Sequence, residues 1–333
     1  MRLRKVSVDS PGLGRRRAGK GFVYLDPDGR RVDDPELLAR CRALVIPPAW
    51  QEVWICPDPA GHIQAVGTDD AGRRQYLYHE LWRQRRDRAK HRHVLEVAEQ
   101  LPGARAQVAE HLALGRLTRE KALAVAFRLL DRGAFRIGGE AYAARHETYG
   151  LATLRKDHLR ITGDGTLTFR YRAKSGLEQL LELRDEDLLS PLTTLRRRRG
   201  GGVELLAYRN GRGWVDLSTS DVNGYIKDLL GPDASAKDFR TWRGTVLAAV
   251  SLARAEDVTT ARRRQAAVRE AVKRVAADLG NTPAVSRVSY IDPQVIDAFE
   301  RGQTIPSDAA GPDEVTTRTD LAPAERAVLE LLS

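Results

Sequence analysis

Residues 237–253 read KDFRTWRGTVLAAVSLA and carry the clearest folding signal in the chain. Apolar side chains recur there every three to four positions, the period of a helix with one face in a core. Arg240 lies one residue off that stripe, so we expect it at the edge of the buried face. The stripe itself consists of Phe239, Trp242, Val246, Ala249, Val250 and Ala253. The segment predicts a core helix that carries an arginine beside its apolar face.

Helical signals extend in both directions from this segment, from about residue 94 onward. Thr118 can cap a helix that ends before Gly133, and residues 259–279 predict another helix, closed by Gly280. Pro283 suits the first turn of a short helix that follows. This part of the chain is therefore expected to be mainly α-helical.

One β interlude interrupts the helices. Apolar residues alternate over 159–161 and 167–171 around the turn at 163–165, which predicts two strands. The run of arginines at 196–199, followed by three glycines, predicts an exposed turn. The alternation over 167–171 leaves Thr168, Arg170, Arg172 and Lys174 on the polar face of the hairpin.

Residues 20–80 predict strands and turns instead. Apolar runs at 22–25, 53–55, 62–66 and 75–78 are separated by turn-forming Pro, Asp and Gly. A basic run at 80–93 ends this region; it is either a solvated helix face or a connection along a phosphate backbone. The predicted fold class is α+β, with a small β-rich N-terminal domain over 1–90 and a larger, mainly α-helical domain over 91–333.

Length and composition agree with two globular domains. The 333 residues fit two domains of ~150 residues each. Hydrophobic residues make up 42% and charged residues 30%, and no apolar run approaches the ~20 residues of a spanning helix. The basic N-terminus lacks the apolar core of an export signal. Cys41 and Cys56 have no partner motif, which excludes a zinc ribbon or disulfide framework and favours a cytoplasmic protein.

The charge balance is the first functional clue. The formal net charge is +10, and most of the cations are arginines. Arginine binds phosphate through two hydrogen bonds at once, so a polyanion such as DNA is one explanation. Arginine-rich codon usage is the other, and charge alone does not separate them. A phosphate-binding loop is excluded at 14–20, because Gly21 stands where Ser or Thr is required. The histidines show no metal-ligand spacing, so no metal or other cofactor is expected.

Several segments, in this order, resemble type IB DNA topoisomerases of the bacterial, poxvirus-like branch. The resemblance covers roughly residues 40 to 300 and places Lys174 in a hairpin between two arginine segments. The matching segments are Gly72-Arg73-Arg74-Gln75-Tyr76-Leu77-Tyr78, Phe135-Arg136-Ile137-Gly138 through Tyr142, Glu147-Thr148-Tyr149-Gly150-Leu151, Phe239-Arg240-Thr241-Trp242, and Ser286-Arg287-Val288-Ser289-Tyr290 with Ile291-Asp292-Pro293.

The resemblance implies the catalytic fold shared by these topoisomerases and tyrosine recombinases, and a set of site residues. Tyr290 would be the nucleophile that forms a 3′-phosphotyrosyl bond, and Lys174 the acid for the leaving 5′-oxygen. Arg136, Arg240 and Asn281 would bind the phosphate oxygens. The duplex DNA would be contacted by Arg74, Gln75, Tyr76 and Tyr142. The two domains would close around DNA as a monomeric, nucleoid-associated clamp that uses neither ATP nor metal.

Two positions depart from the family pattern. Asn281, nine residues before Tyr290, stands where histidine is most frequent. An amide can donate a hydrogen bond to phosphate but cannot carry a proton, so proton transfer is not expected there. Ala173 stands before Lys174 where glycine is common in the family.

Other readings remain open at this level. A tyrosine recombinase would share the nucleophile, but its second arginine normally follows a histidine by three positions, and Lys237 stands there. A non-enzymatic DNA-binding protein would explain the charge but not the ordered set of Arg, Lys, Arg, Asn and Tyr. For Tyr76 and Tyr78, ordinary alternation in a half-buried strand is an alternative to DNA contact.

Overall fold

The computed structural model describes residues 1–310 and 321–333, without the side chains of residues 141, 142, 144 and 175. The chain forms two compact units, Met1–Arg92 and His93–Ser333. A small sheet in the first unit and a mainly helical second unit confirm the α+β prediction.

The first unit is built on a five-stranded antiparallel sheet and one helix. The elements are β1 (Leu13–Ala18), β2 (Gly21–Leu25), α1 (Pro35–Ala43), β3 (Gln51–Ile55), β4 (Ile63–Thr68) and β5 (Arg74–Tyr78). The strands lie in the order β2-β1-β3-β4-β5. The core of this unit joins Ile55 and Ala65 of the sheet to Cys41 of α1, a helix that the sequence analysis did not predict. Asp34 caps that helix, and Pro35 begins it.

The segment that superficially matched a phosphate-binding loop is strand β1 and its turn to β2. Arg15 on this strand donates to the carbonyls of Ile46 and Pro47, both at 2.8 Å, and of Trp50 at 2.9 Å. Its guanidinium therefore has a structural role, in agreement with the rejection of that motif.

The basic run at 80–93 lies in one helix, α2 (Glu80–Leu112), with most of its arginines exposed. The run thus forms a solvated helix face, and its contact with a phosphate backbone stays a prediction. The further elements are α3 (Arg119–Gly133), α4 (Glu140–His146), β6 (Leu159–Ile161), β7 (Thr166–Arg172), β8 (Glu178–Arg184), α5 (Glu186–Arg197), β9 (Ala207–Asn210), β10 (Gly213–Asp216), α6 (Thr219–Leu230), α7 (Ala236–Ala253), α8 (Ala261–Leu279), α9 (Pro283–Ser289), α10 (Pro293–Glu300) and α11 (Ala322–Leu332).

Helix α7 lies inside the second unit, as its apolar stripe predicts, but it is buried on nearly every side. Phe127 of α3 meets Phe239 edge to face, with 5.0 Å between the ring centroids. The expectation that Arg240 sits at the edge of the buried face is wrong, because packing around the whole helix leaves it only 4% exposed.

Local details differ from the sequence reading at three places. Gly133 is the last residue of α3, and Ala134 takes the left-handed position after it, with φ 48°. The predicted hairpin has a third strand, β8, paired with β7. Arg198 is buried within its arginine run, because it donates to the carbonyls of Leu195, Glu204 and Leu205.

Other properties concern function only indirectly. Cys41 and Cys56 are both free and buried, and burial raises the pKa of each thiol. No helix within the described part of the chain is long and apolar enough to cross a membrane. Among the same residues, no group of three or more His, Cys, Asp or Glu side chains is placed to hold a metal ion.

Candidate active site

Local sequence signals place the predicted nucleophile between two short helices. Gly280 ends α8 in the left-handed conformation, and Thr282 caps α9, which starts at Pro283. The amide of Tyr290 donates to the carbonyl of Ser286 at 3.0 Å and so ends that helix. Asp292 then caps α10. Tyr290 therefore lies in a three-residue connection, residues 290–292, with little conformational freedom.

Arg240 lies under the ring of Tyr290. Its Cζ is 5.1 Å from the ring centroid, and its two terminal nitrogens donate to carbonyls of Ala134 and Leu279 at 2.5 and 2.7 Å. Its buried Nε has no partner among the described residues. Since these described partners are neutral, the charge of the guanidinium remains available to the phenol and to a bound anion.

Arg136 approaches the same point from the loop between α3 and α4. One terminal nitrogen donates to the carbonyl of Gly280 at 2.9 Å and to Oδ1 of Asn281 at 2.6 Å. Burial lowers the pKa of Arg136, and the positive charge of Arg240 lowers it further. An arginine nevertheless stays protonated at neutral pH, so the two guanidinium groups concentrate positive charge here.

The loop that carries Arg136 depends on a close approach of two glycines. A Cβ on Gly150 would lie 2.4 Å from the nitrogen of Gly138 and 2.6 Å from the carbonyl oxygen of Arg136. Instead the amide of Leu151 donates to that carbonyl at 2.8 Å. The segment at 147–151 thus holds the backbone of the arginine.

The side chain of Asn281 is oriented by Arg136. Because its Oδ1 accepts from the guanidinium, its Nδ2 faces the other way, and this buried nitrogen has no partner among the described residues. The amide therefore presents an unused donor. Donation from this nitrogen to a phosphate oxygen stays a prediction, and an amide has no proton to transfer at neutral pH.

Lys174 is the first residue of the turn between β7 and β8, and its side chain is exposed. The prediction placed it on the polar hairpin face; it follows that face, just beyond the end of β7. The turn is closed by hydrogen bonds from Ala173 to Leu177 at 2.7 Å and from Gly176 to Ala173 at 3.0 Å. Alanine before the lysine is thus compatible with the turn.

A cavity of about 440 Å³ joins these groups. Arg136, Lys174, Asn281 and Tyr290 all line it, and Arg240 lies beneath the tyrosine ring. The structure therefore brings together all five residues predicted for catalysis, from positions as far apart as 136 and 290.

The phenol of Tyr290 is tuned by these neighbours. Burial would raise its pKa, but the charge and hydrogen bonding of Arg240 and the charge of Arg136 hold the pKa below its ordinary value. Lys237, one turn before Thr241 on α7, contributes in the same direction. A lowered pKa favours the phenolate, the form that can act as a nucleophile.

The residues predicted to contact DNA from the N-terminal side lie on β5, an edge strand. Tyr76 and Tyr78 point outward at 40% and 41% exposed, with stacked rings 6.0 Å apart. Arg74 is exposed beside them, whereas Gln75 points to the other face and donates to Asp69 at 2.9 Å. Side chains do alternate between the two faces of this strand, and the alternation places Tyr76 and Tyr78 on its exposed face. Tyr142 lies in α4, and its side chain is outside the described residues.

Comparison with known proteins adds the family. Residues 79–303 match the family described as "Eukaryotic DNA topoisomerase I, catalytic core", which is more than half of the chain. The chain belongs to the type IB DNA topoisomerases. Residues 21–69 match "Bacterial DNA topoisomerase IB, N-terminal domain", so both units have counterparts in this family. The resemblance found in the sequence is confirmed, and the matching families and relatives are topoisomerases, which are isomerases.

Two relatives show the extent of the similarity. The chain is 26% identical over 295 residues to DNA topoisomerase 1B of Acanthamoeba polyphaga mimivirus, covering 87% of this chain and 88% of that protein. It is 27% identical over 130 residues to DNA topoisomerase 1 of Daucus carota, covering 39% of this chain and 15% of that protein.

Sequence reasoning missed several residues that shape the topoisomerase site. Gln179 lines the cavity and packs on Gly280, where a Cβ would come within 2.2 Å of its Oε1. Gly244 and Thr245 of α7 contact the segment that carries Tyr290. Each of these contacts joins residues that are distant in the chain, so local patterns do not predict it. The one sequence signal is Gly244, a glycine within the apolar pattern of α7, which indicates that another backbone approaches closely there.

Proposed function

We propose that the protein relaxes supercoiled duplex DNA by cutting and rejoining one strand through a 3′-phosphotyrosyl intermediate on Tyr290, without ATP or metal. The observation that carries this proposal is the convergence of Arg136, Lys174, Asn281 and Tyr290 on one cavity, above Arg240. Family membership supports the reaction class, and the geometry supports the assignment of roles.

In the cleavage step, the phenolate oxygen of Tyr290 attacks phosphorus, and the bond from phosphorus to the 5′-oxygen breaks. The lowered pKa of Tyr290 increases the share of phenolate at any given pH. The phenol proton leaves to solvent, and Lys174 protonates the departing 5′-oxygen. The product is a phosphodiester of the tyrosine, and the strand now ends in a free 5′-hydroxyl.

Charge develops on the non-bridging oxygens as phosphorus becomes five-coordinate. Arg136 and Arg240 can each donate more than one hydrogen bond and oppose that charge. The free Nδ2 of Asn281 supplies a further, neutral donor. Because these donors are fixed by the surrounding backbone carbonyls, little reorganisation is needed when the phosphate arrives.

Rejoining reverses the same step. The 5′-hydroxyl attacks the phosphotyrosine, Lys174 accepts its proton, and Tyr290 leaves. One phosphate ester is exchanged for another of similar energy, so the cycle needs no nucleotide hydrolysis. Between the two steps the free end can rotate, and the torsional energy of the DNA drives relaxation.

Contacts away from the cavity would hold the duplex. Arg74, Tyr76 and Tyr142 are proposed to meet DNA, as is Gln75 once it leaves its bond to Asp69. We assign DNA binding to the N-terminal domain and catalysis to the C-terminal one, acting as a monomeric clamp in the cytoplasm, at the nucleoid. The exposed, stacked Tyr76 and Tyr78 support a contact with DNA on that strand.

The test is relaxation of supercoiled plasmid in EDTA without ATP, with a denaturing quench that detects protein joined to a 3′ end. The unaltered chain should relax the plasmid and form the adduct, and Tyr290→Phe should do neither. Tyr208→Phe is the matched control, since Tyr208 lies on β9 and does not line the cavity. Relaxation that survives Tyr290→Phe would move the nucleophile elsewhere. Binding without cleavage by the unaltered chain would favour a passive DNA-binding protein, and strand exchange a recombinase.

A further inference from the structure

Helix α7 does more than supply Arg240, because two of its later residues hold the backbone around Tyr290. The hydroxyl of Thr245 accepts a hydrogen bond from the amide of Asp292 at 3.0 Å. The same hydroxyl donates to the carbonyl of Thr241 at 2.9 Å. A hydroxyl has a single hydrogen, so this second bond turns a lone pair of Thr245 toward the amide.

Gly244, the residue before it, allows the close approach. A Cβ at this position would lie 2.4 Å from the carbonyl oxygen of Tyr290 and 3.2 Å from its Cβ. The backbone of Tyr290 therefore rests directly on the helix. Ile291, the next residue, is buried in the core of the same unit.

Both the ring and the backbone of Tyr290 are thus positioned by one helix, α7. Arg240 and Gly244 are four residues apart, so they lie one above the other on the same face of α7. The ring of Tyr290 lies over the guanidinium, and its backbone rests on the glycine. The distance between phenol and guanidinium is consequently set by how far the backbone is held from α7.

We propose that Thr245 is a positioning residue for the nucleophile. Its hydroxyl, through the amide of Asp292, keeps Tyr290 seated on Gly244 and so keeps the phenol within reach of the charge of Arg240. This inference rests on the proposed function, in which Tyr290 attacks the phosphate. A lost hydrogen bond would let the tyrosine rise from the helix, which weakens phenolate stabilisation and misaligns the attacking oxygen.

The test compares Thr245→Val, which removes the hydroxyl while keeping the shape, with Thr245→Ser, which keeps it. Covalent adduct formation is followed in a single turnover on a duplex oligonucleotide over a range of pH. Thr245→Val should slow cleavage at least tenfold and move the rise of rate with pH to higher pH, with DNA affinity unchanged. Thr245→Ser should restore most of the rate and the original profile.

A merely structural threonine would behave differently. In that case Thr245→Val would lower the melting temperature, yet well below that temperature its cleavage rate and pH profile would match the unaltered chain, and the proposal would fail. If Thr245→Val does not fold, Gly244→Ala provides the second test. Alanine is a better helix former than glycine, so slower cleavage would come from the contact with Tyr290, whereas an unchanged rate would overturn the proposal.

The outcomes also separate this inference from the function on which it rests. If the unaltered protein forms no adduct, the proposed function is wrong, and the positioning role falls with it. If the unaltered protein forms the adduct, and Thr245→Val and Gly244→Ala cleave DNA at the same rate as the unaltered protein, only the positioning role is wrong.

Discussion

The two sides of the catalytic cavity are built in opposite ways. On the nucleophile side, Arg240, Thr245 and Ile291 are all buried, and each is fixed by core packing or by backbone hydrogen bonds. On the other side, Lys174 is exposed on a short turn, followed by Leu177 at 65% exposed. The proposed reaction would thus draw one participant from the core and another from the surface.

This difference follows from what each group must do. A phenol needs a lowered pKa and a fixed line of attack, and both require a cation held at a set distance. A proton donor for the leaving oxygen needs only to reach that oxygen once DNA is bound, and a flexible lysine on an exposed turn can do so. Substitutions on the two sides should therefore separate stability from catalysis.

The largest effect is expected for Arg240→Ala. It removes a transition-state donor and leaves the buried carbonyls of Ala134 and Leu279 without their partner. Cleavage should fall about a thousandfold or more, and the free energy of unfolding should drop by about 2–4 kcal/mol. Adduct formation and urea denaturation measure the two losses. A variant as stable as the unaltered chain would contradict the view that this side is part of the core.

Lys174→Ala should slow cleavage strongly while leaving the free energy of unfolding almost unchanged. Loss of a general acid lowers cleavage by about 10²–10⁴-fold, whereas an exposed substitution changes stability by no more than about 0.5 kcal/mol. A DNA substrate with sulfur in place of the leaving 5′-oxygen should recover the rate, because a thiolate departs without a proton. Arg160→Ala is the matched control, since Arg160 is an exposed cation on β6 of the same sheet and does not line the cavity. No recovery with the sulfur substrate would argue against proton donation by Lys174.

A smaller effect is expected at Asn281. Asn281→Ala removes one neutral donor and should slow cleavage by about tenfold, the value of one modest hydrogen bond. Asn281→Asp should be slower still, because a carboxylate beside Arg136 neutralises that charge and repels the phosphate. Single-turnover rates rank the two variants. The reverse order would mean that Nδ2 of Asn281 is not the group that meets the substrate.

The smallest effect is expected at Gly280, whose contact with Gln179 joins the two sides of the cavity. Gly280 has φ +60°, and a Cβ there would collide with Oε1 of Gln179. Gly280→Ala should cost about 1–2 kcal/mol of stability and slow cleavage by a few-fold through displacement of the hairpin. Gly302→Ala is the control, since it has φ +82° but open space around it, so only the backbone strain applies. Equal losses of stability in both variants would show that the contact between residue 280 and Gln179 contributes nothing to stability.

Much of this arrangement could be predicted from sequence, because its signals are local. The cap at Thr118, the proline at 283 and the apolar stripe of α7 each specify a helix from neighbouring residues, and the structure has all three helices. The order of the motifs identified the family. The five catalytic candidates, taken from that resemblance, also converge in space.

The misses share a physical cause, which is that burial depends on partners distant in the chain. Arg198 belongs to a run of charges that predicts an exposed turn, yet carbonyls of 195, 204 and 205 receive it inside the unit. Arg240 was expected at an edge because periodicity describes one helix face and not what packs on the others. The hydrogen bond from Asp292 to Thr245 spans 47 residues and has no local signature.

Because both native thiols are buried, cysteines introduced on the surface can be labelled selectively with fluorophores. Cys41 and Cys56 are the only cysteines in the sequence, both are inaccessible, and burial raises the pKa of each, so few thiolates form at neutral pH. Maleimide dyes should therefore leave the native protein almost unlabelled. A cysteine introduced at Asp33, whose side chain is 86% exposed, and another at Lys273 on α8 would then carry a donor and an acceptor fluorophore without background. Energy transfer between them would report in real time whether the two units move relative to each other when DNA is added.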